Sequence, residues 1–187
     1  TKDIATEIDR AFISKVNSVI GTVNTSNLSI SGYDLPQNVE LSGGITRENV
    51  AEAFKVIQRL KVPFGPTQPD GNESKGVMLL NNVTAMEFVK MGPSEIGWGP
   101  SEQAWTSGLP AKELLGVKPV YTMKSDLVPD NVIYLFSSEE FFGKYYRLQP
   151  LTVFAETKAF FLSWFQYMNI SLAIGNVRGV CKITFTD

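Results

Sequence analysis

The chain has 187 residues, a formal net charge of −2, one cysteine and no histidine. The lack of histidine excludes histidine-based metal sites and any Ser-His or Cys-His nucleophile pair. A single cysteine excludes an intrachain disulfide and thiolate zinc clusters, and the mild negative charge argues against a strongly basic nucleic-acid binder. The composition is typical of one large domain or two small lobes that fold around an ordinary apolar core.

The first part of the chain predicts a helix followed by a polar connection. Apolar residues recur every three or four positions over residues 3–20, which indicates a helix that Gly21 ends. Residues 22–44 are rich in serine, asparagine and glycine, and we expect a loop with a short strand at 28–30. The polar opening does not resemble a signal peptide, and no apolar run approaches the roughly 20 residues of a membrane helix.

The clearest helix of the sequence spans residues 45–60. Thr46 is its expected N-cap, because a threonine hydroxyl accepts a hydrogen bond from a free backbone N–H of the first turn. Residues 62–76 hold three prolines and three glycines, which indicates an exposed connection. The apolar run at 76–80 predicts a short buried strand.

A second helix is expected at residues 82–91, capped by Asn82, with Met86 and Val89 on one side. Together with the preceding strand and the longer helix before it, this order predicts a mixed sheet with helices packed against it.

Residues 92–108 contain four glycines, two prolines and two tryptophans. Glycine and proline predict a loop, and tryptophans in a loop require something that covers them. Trp98 and Trp105 are therefore either core residues or interface anchors, and the glycine-rich setting favours the interface. Glu95 and Glu102 are a possible acid–base pair, but a solvated position in the loop is the favoured interpretation.

A helical turn at 110–116 and two strands at 117–123 and 130–136 are expected next. Residues 137–146 predict a short helix capped by Ser138.

The last forty residues have the composition of strands. Residues 151–157 alternate between apolar and polar, whereas the spacing in 159–169 fits a helix or a strand equally well. Residues 170–174 and 177–185 predict two extended segments around a type II′ turn at Gly175-Asn176. We expect them to close one sheet with 151–157, and the sequence leaves open whether the last strand lies inside that sheet or at its edge.

No motif predicts chemistry. The segment 70–74 places oxygen ligands at alternate positions but lacks the acidic twelfth residue of a calcium loop, so a polar turn is favoured. Glu139 and Glu140 are adjacent and would point apart, and Cys181 lies in a predicted strand, which favours a buried, inert thiol. We predict no catalytic residue, no cofactor and no metal. Two hypotheses remain: a structural or assembly protein, and an enzyme whose site a partner completes.

Four features, in this order, resemble the major capsid proteins of tailed phages with the Hong Kong 97-type fold, which encapsulin shells share. They are a strand followed by a helix with asparagine at the junction (80–82), a Leu-Gly-Val-x-Pro-Val strand (115–120), a Val-Ile-Tyr-Leu-Phe strand before a Leu-Thr-Val strand (132–136 and 151–153), and a last strand ending in Ile-Thr-Phe (183–185). They span about residues 45–187 and match the C-terminal two-thirds of such proteins, without the N-terminal arm and extended loop of that family.

The resemblance implies an α+β fold with an axial domain, built of a mixed sheet and flanking helices, and part of a peripheral domain with long antiparallel strands. Residues 1–44 would end the spine helix of the peripheral domain, 45–147 would form the axial domain, and 148–187 would return to the peripheral domain. It also implies that 159–169 is a strand. For Trp164 in that segment, burial between the strands and exposure at the surface are both open.

The function that the resemblance implies is that of a major capsid protein of a tailed bacteriophage or prophage. Such a protein assembles in the host cytoplasm, through pentamers and hexamers of its own copies, into an icosahedral virion shell around double-stranded DNA. Scaffold, protease and decoration proteins would be further partners, and neither a membrane nor an enzymatic activity is implied. The expected contact near the capsomer axis contains Trp98, Trp105, Glu95 and Glu102. An encapsulin-like compartment and a ligand-binding or enzymatic α+β domain are the alternatives.

Overall fold

The computed structural model describes residues 2–23, 38–58, 76–91, 116–137, 142–158 and 160–186. These residues form three helices, seven strands and one short 3-10 helix. In chain order they are α1 (Lys2–Val23), β1 (Asn38–Ser42), α2 (Arg47–Gln58), β2 (Val77–Asn81), α3 (Asn82–Lys90), β3 (Lys118–Thr122), β4 (Val132–Phe136), β5 (Gly143–Lys158), β6 (Phe161–Ile174), the 3-10 helix Val177–Gly179 and β7 (Val180–Thr186).

Five strands form a mixed sheet in the order β1-β7-β4-β2-β3. The central strand β4 is antiparallel to both of its neighbours, β2 and β7. The outer pairs are parallel, β1 with β7 and β2 with β3. The predicted mixed sheet is therefore confirmed, and the last strand of the chain lies inside it.

Every side chain of β4 is buried, so the strand is covered on both faces. Successive residues of a strand point to opposite faces, and here they enter two different cores. Ile133 and Leu135 join the cluster that contains Ala53 of α2 and Ala85 and Phe88 of α3. Val132, Tyr134 and Phe136 join the cluster that contains Ile13, Val16 and Ile20 of α1. The sheet thus has α2 and α3 on one face and α1 on the other.

Tyr134 is the largest of the fully buried side chains, with 1% of its surface exposed. Its hydroxyl donates a hydrogen bond of 3.0 Å to Oδ1 of Asn17 on α1. Burial raises the pKa of Tyr134, and its hydrogen bond with Asn17 is a smaller effect in the opposite direction. The phenol therefore stays neutral and joins the helix to the central strand.

The remaining two strands, β5 and β6, form a separate two-stranded antiparallel sheet. The chain leaves the five-stranded sheet at Phe136 and returns at Val180, and these two residues are paired directly across the sheet. The N–H of Ser137 donates to the carbonyl of Gly179 over 2.8 Å and closes this junction. The β5–β6 hairpin is therefore inserted between two neighbouring strands of the five-stranded sheet. We call this hairpin the arm (residues 143–174).

The prediction of a type II′ turn at Gly175-Asn176 is wrong. A type II′ turn needs a positive φ at its first central residue, and Gly175 is not among the described residues with positive φ. Asn176 instead begins the 3-10 helix, where its side chain accepts from the N–H of Arg178 over 3.1 Å. The strands on either side enter different sheets, so the expected single sheet formed by the last forty residues is also wrong.

Three predictions of where helices and strands lie also need correction. Helix α1 continues beyond Gly21 to Val23, because one glycine weakens a helix without ending it. Residues 143–146 belong to β5 and not to a helix. Residues 38–42, expected to lie in a loop, form β1 and pair in parallel with β7. The short strand expected at 28–30 and the cap Ser138 lie outside the described residues.

The strands β2, β3 and β4 and the helices α2 and α3 are confirmed. The cap of α2 is Thr46 as expected, since its hydroxyl accepts from the N–H of Asn49 over 3.2 Å. The cap of α3 is Asn81 and not Asn82. Met86 is 44% exposed, and the buried face of α3 consists instead of Thr84, Ala85 and Phe88.

The division into 1–44, 45–147 and 148–187 remains a prediction. The five-stranded sheet takes β1 from the first segment, β2, β3 and β4 from the second and β7 from the third. The three segments thus share one sheet.

The side chain of Asn81 uses all of its hydrogen-bonding groups at the junction of β2 and α3. Its Oδ1 accepts from the N–H of Thr84 over 2.7 Å. Its Nδ2 donates to the carbonyl of Val128 over 3.1 Å and to Oδ1 of Asp130 over 2.5 Å. Asn81 is 1% exposed, so no water replaces these partners if the side chain is removed. This residue fixes the turn before β4 against the start of α3.

We therefore expect Asn81→Ala to lower the free energy of unfolding by roughly 2–4 kcal/mol, since it removes a helix cap and leaves a buried carbonyl without a donor. Urea denaturation followed by circular dichroism measures the loss. Asn82→Ala is the matched control at the next position and should change stability by less than about 0.5 kcal/mol. Equal losses in the two variants would contradict the assignment of the cap.

Candidate subunit interface

The described residues offer no group of three or more acidic, histidine or cysteine side chains placed to hold a metal ion. Cys181 is buried on β7, and burial raises its pKa to about 12. Thiols react as thiolates, so this cysteine is inert at neutral pH, as the sequence predicts. Among the helices of the described ranges, none has the length and hydropathy that a bilayer-spanning segment requires.

The four residues expected at the capsomer axis lie outside the described part of the chain. Trp98, Trp105, Glu95 and Glu102 belong to the segment 92–115, and their placement stays a prediction. The calcium-like segment 70–74 and the adjacent pair Glu139 and Glu140 also lie outside the described ranges.

A different surface stands out in the described residues. Of the sixteen large hydrophobic residues that are exposed there, twelve lie on the arm. They are Tyr145, Tyr146, Leu148, Leu151, Val153, Phe154, Phe160, Phe161, Leu162, Trp164, Phe165 and Tyr167. If each leaves on the order of 100 Å² accessible, the two faces of the arm together expose about 1,000 Å² of these side chains. The largest single apolar patch of an ordinary monomer is about 300–600 Å², so each face of the arm lies near the upper end of that range.

The arm has two distinct faces because side chains alternate along each strand and paired residues point the same way. We name the faces after the numbering of β6. The even face contains Leu162, Trp164, Gln166, Met168, Ile170, Leu172 and Ile174, with Ala155, Val153 and Tyr145 among their partners on β5. The odd face contains Phe161, Phe165 and Tyr167, with Phe154 and Tyr146 among the residues on β5.

The even face changes along the arm from partly buried to exposed. Near the body, Leu172 and Ile174 line a cavity of about 140 Å³ together with Phe12 of α1, Phe142 and other residues. Toward the tip, Leu162 is 55% exposed and Trp164 is 63% exposed. One apolar stripe therefore begins in the core of the molecule and ends in solvent.

Aromatic contacts hold the base of the arm on the body. The ring of Phe142, just before β5, lies 5.2 Å from that of Phe136 on β4 and 6.2 Å from that of Phe12 on α1. A Cβ at Gly143 would come within 2.3 Å of the carbonyl oxygen of Ala173, so the two strands approach here at a distance that only glycine permits. The base of the arm is thus well fixed on the body.

On the odd face, Phe154 and Tyr167 stack with their ring centroids 5.6 Å apart. The hydroxyl of Tyr167 accepts a hydrogen bond of 3.1 Å from Gln149, whose Oε1 accepts another of 3.2 Å from Asn169. These contacts join the two strands near the irregular part of β5. The strand that the resemblance implies at 159–169 is confirmed for residues 161–169, which belong to β6.

Comparison with known proteins supports the fold. No protein-family model matches the chain, and no curated protein matches it in sequence. The capsid of an empty GTA particle is 15% identical with a TM-score of 0.55, and the match covers 87% of this chain and 54% of that one. The capsid of a native GTA particle is 12% identical with a TM-score of 0.54, over 99% of this chain and 66% of the other.

A virus-like particle from Pyrococcus furiosus also matches, at 12% identity and a TM-score of 0.44, over 91% of this chain and 61% of that chain. The chain spans between half and two thirds of the length of the GTA capsid chains. At these identities the likeness shows the fold. The chain has the α+β fold of a capsid protein, and the fold class predicted by resemblance is confirmed.

Trp164 lies at the surface and not between buried strands, so the exposed alternative holds. We expect Trp164→Ala to lower the free energy of unfolding by less than about 1 kcal/mol, whereas a buried tryptophan would cost roughly 3–5 kcal/mol. Urea denaturation of the dilute protein tests this. Tyr134→Ala, at a side chain that is 1% exposed, is the buried control and should cost about 3 kcal/mol or more. A large loss for Trp164→Ala would place that side chain in the core.

Proposed function

We propose that this chain is a major capsid protein of a tailed bacteriophage or prophage, and that copies of it form pentamers and hexamers that close into an icosahedral shell. The observation that supports this most directly is the arm, a long apolar projection fixed at its base on a capsid-protein fold. Permanent interfaces are more apolar than transient ones and commonly bury more than about 2,000 Å². A shell subunit needs such surfaces, and a monomeric enzyme does not.

In this proposal the protein is structural rather than catalytic. The shell encloses double-stranded DNA without sequence-specific contacts, which suits a formal net charge of −2, because a strongly basic wall would bind the genome tightly. Assembly takes place in the host cytoplasm, with scaffold, protease or decoration proteins as further partners. Residues 45–147 supply the axial domain, and 1–44 and 148–187 the peripheral one. No observation on the described residues favours an encapsulin-like compartment.

Electron microscopy of the purified chain, expressed alone, tests the proposal. We expect capsomer rings or icosahedral particles, since head-to-tail contacts with the right rotation close into rings. Strict monomers at every protein concentration, with no rings and no particles, would contradict the function. Particles that enclose a protein cargo in place of DNA would favour the encapsulin-like alternative.

The proposal includes a contact near the capsomer axis through Trp98, Trp105, Glu95 and Glu102, because aromatic residues in a glycine-rich loop favour an interface. Combining Trp98→Ala with Trp105→Ala should slow or abolish ring formation, measured by light scattering, while thermal unfolding stays cooperative. Met123→Ala, at a side chain that is 87% exposed on the described surface, is the control and should assemble normally. Unchanged assembly of the double variant would contradict the contact.

A further inference from the structure

The apolar cavity at the base of the arm is partly open to solvent and has a fixed floor. It occupies about 140 Å³ between α1 and the ends of β5 and β6. Phe12, Phe142 and Ile174 line it, and all three also pack against the core cluster on the α1 side of the sheet. The other lining residues include Gly143 and Ala173, which are too small to fill the space. The cavity is therefore a hollow in the surface that rests on the core.

The size of the cavity suits one aromatic ring. An engineered apolar cavity of about 150 Å³ binds benzene, whereas pockets for drug-sized ligands occupy roughly 300–1,000 Å³. Three aromatic residues, Phe12, Phe142 and Tyr145, line the cavity, and aromatic rings pack favourably against one another. The group that fits best is thus a single aromatic side chain and not a cofactor.

Three cationic residues lie at this cavity. Lys15 of α1 and Lys144 of β5 line it, and Arg147 lies on the even face, two positions beyond Tyr145. All three cationic residues are exposed, and none of them takes part in an ion pair between described residues. Lysine stems cover apolar surface while their ammonium groups stay in water. The cavity therefore combines apolar walls with a positively charged rim, in a chain whose formal net charge is −2.

The acidic residues of the neighbouring elements do not balance this charge. The only acidic residue of the arm is Glu156, roughly 30 Å beyond Arg147 along β5, since a strand rises about 3.3 Å per residue. On α1, Glu7 and Asp9 form ion pairs elsewhere. The charge at the cavity thus favours an anionic ligand.

The spacing of the three cations favours a peptide segment over a small molecule. Lys144 and Arg147 are separated by roughly 10 Å along β5, and Lys15 belongs to a different element. A small aromatic acid offers one carboxylate for these three groups. A segment with several acidic residues around an aromatic one offers a carboxylate for each.

We propose that this cavity binds an acidic segment of a partner protein, with one aromatic ring of that segment in the cavity and its carboxylates beside Lys15, Lys144 and Arg147. A ring that fills a pocket at the centre of a contact supplies much of the binding energy, and complementary charges around it supply specificity and faster association. The inference goes beyond the proposed shell function and does not depend on it, because the whole site lies within one copy of the chain.

Fluorescence anisotropy with a labelled synthetic peptide tests the proposal. The probe has one phenylalanine with glutamates on both sides, and it is titrated with the purified chain at low ionic strength. We expect saturable binding that weakens about tenfold or more when alanine replaces the phenylalanine, and by about the same factor when glutamines replace the glutamates. Added salt should also weaken binding of the original probe, because salt screens exposed charges.

Lys144 and Lys118 provide matched variants of the chain. Both are exposed lysines on strands, but Lys118 lies on β3 and not at the cavity. We expect Lys144→Glu to weaken binding of the probe by about tenfold or more and Lys118→Glu by less than about threefold. Lys15→Glu, on α1, should act like Lys144→Glu. Circular dichroism and thermal unfolding establish that each variant is folded.

Several results would overturn the proposal. One is that the folded chain does not bind the probe. Another is equal weakening by Lys144→Glu and Lys118→Glu, because the attraction would then be spread over the surface. Unchanged binding of the probe that lacks phenylalanine would leave the cavity without a role. Phenylacetate that binds as tightly as the probe would assign the cavity to a small aromatic acid, and loss of probe binding as the chain self-associates would assign it to a second copy.

Electron microscopy of the same preparation separates this inference from the proposed function. A chain that binds the probe but forms neither rings nor particles supports the peptide site and contradicts the shell function. A chain that forms shells and does not bind the probe, as assembled particles or as dilute subunits, supports the shell function and overturns the peptide site.

Discussion

The structure depends on the burial of β4 on both of its faces. A strand with five buried side chains needs a layer on each side, and the chain supplies α1 for one face and α2 and α3 for the other. It also needs a hydrogen-bonded neighbour along each edge, and these are β2 and β7. Strand β7 contains residues 180–186, and β4 contains residues 132–136. The core is therefore complete only when these two distant segments have paired.

This constraint explains why the arm is exposed. The pairing of Phe136 with Val180 fixes both ends of the segment between them, so the residues of the arm add nothing to the closure of the sheet. The arm is free to project, and two strands cannot bury both of their own faces. Its apolar side chains therefore stay exposed on the described part of the molecule. A body with its own apolar core and an exposed apolar arm is an arrangement that suits the proposed assembling subunit.

Local sequence patterns predict the helices and strands that depend on neighbouring residues alone. The helix α2 and its cap Thr46 follow from apolar spacing and from the chemistry of one hydroxyl, and the strands β2, β3 and β4 follow from short apolar runs between breakers. The predicted cap of α3, Asn82, is one residue away from the observed cap, Asn81, because the two side chains are chemically identical. Only the backbone conformation and the distant partners Val128 and Asp130 distinguish them. The candidate site stays a prediction, because the four residues chosen lie outside the described ranges. The exposed apolar surface of the arm was not among the predicted contacts.

The sequence by itself determined that the protein has an α+β core without disulfides, that histidine chemistry is absent, and that β6 is an uncharged strand. Tertiary structure decided which strands are neighbours. Residues 38–42 have no strong strand pattern and become β1 only because β7 offers them a parallel partner. Likewise, β6 and β7 follow each other in the chain but enter different sheets, since β7 gains the pairing and two-sided burial of the central sheet. Strand partners form over long distances in sequence, so the periodicity of one segment cannot specify them.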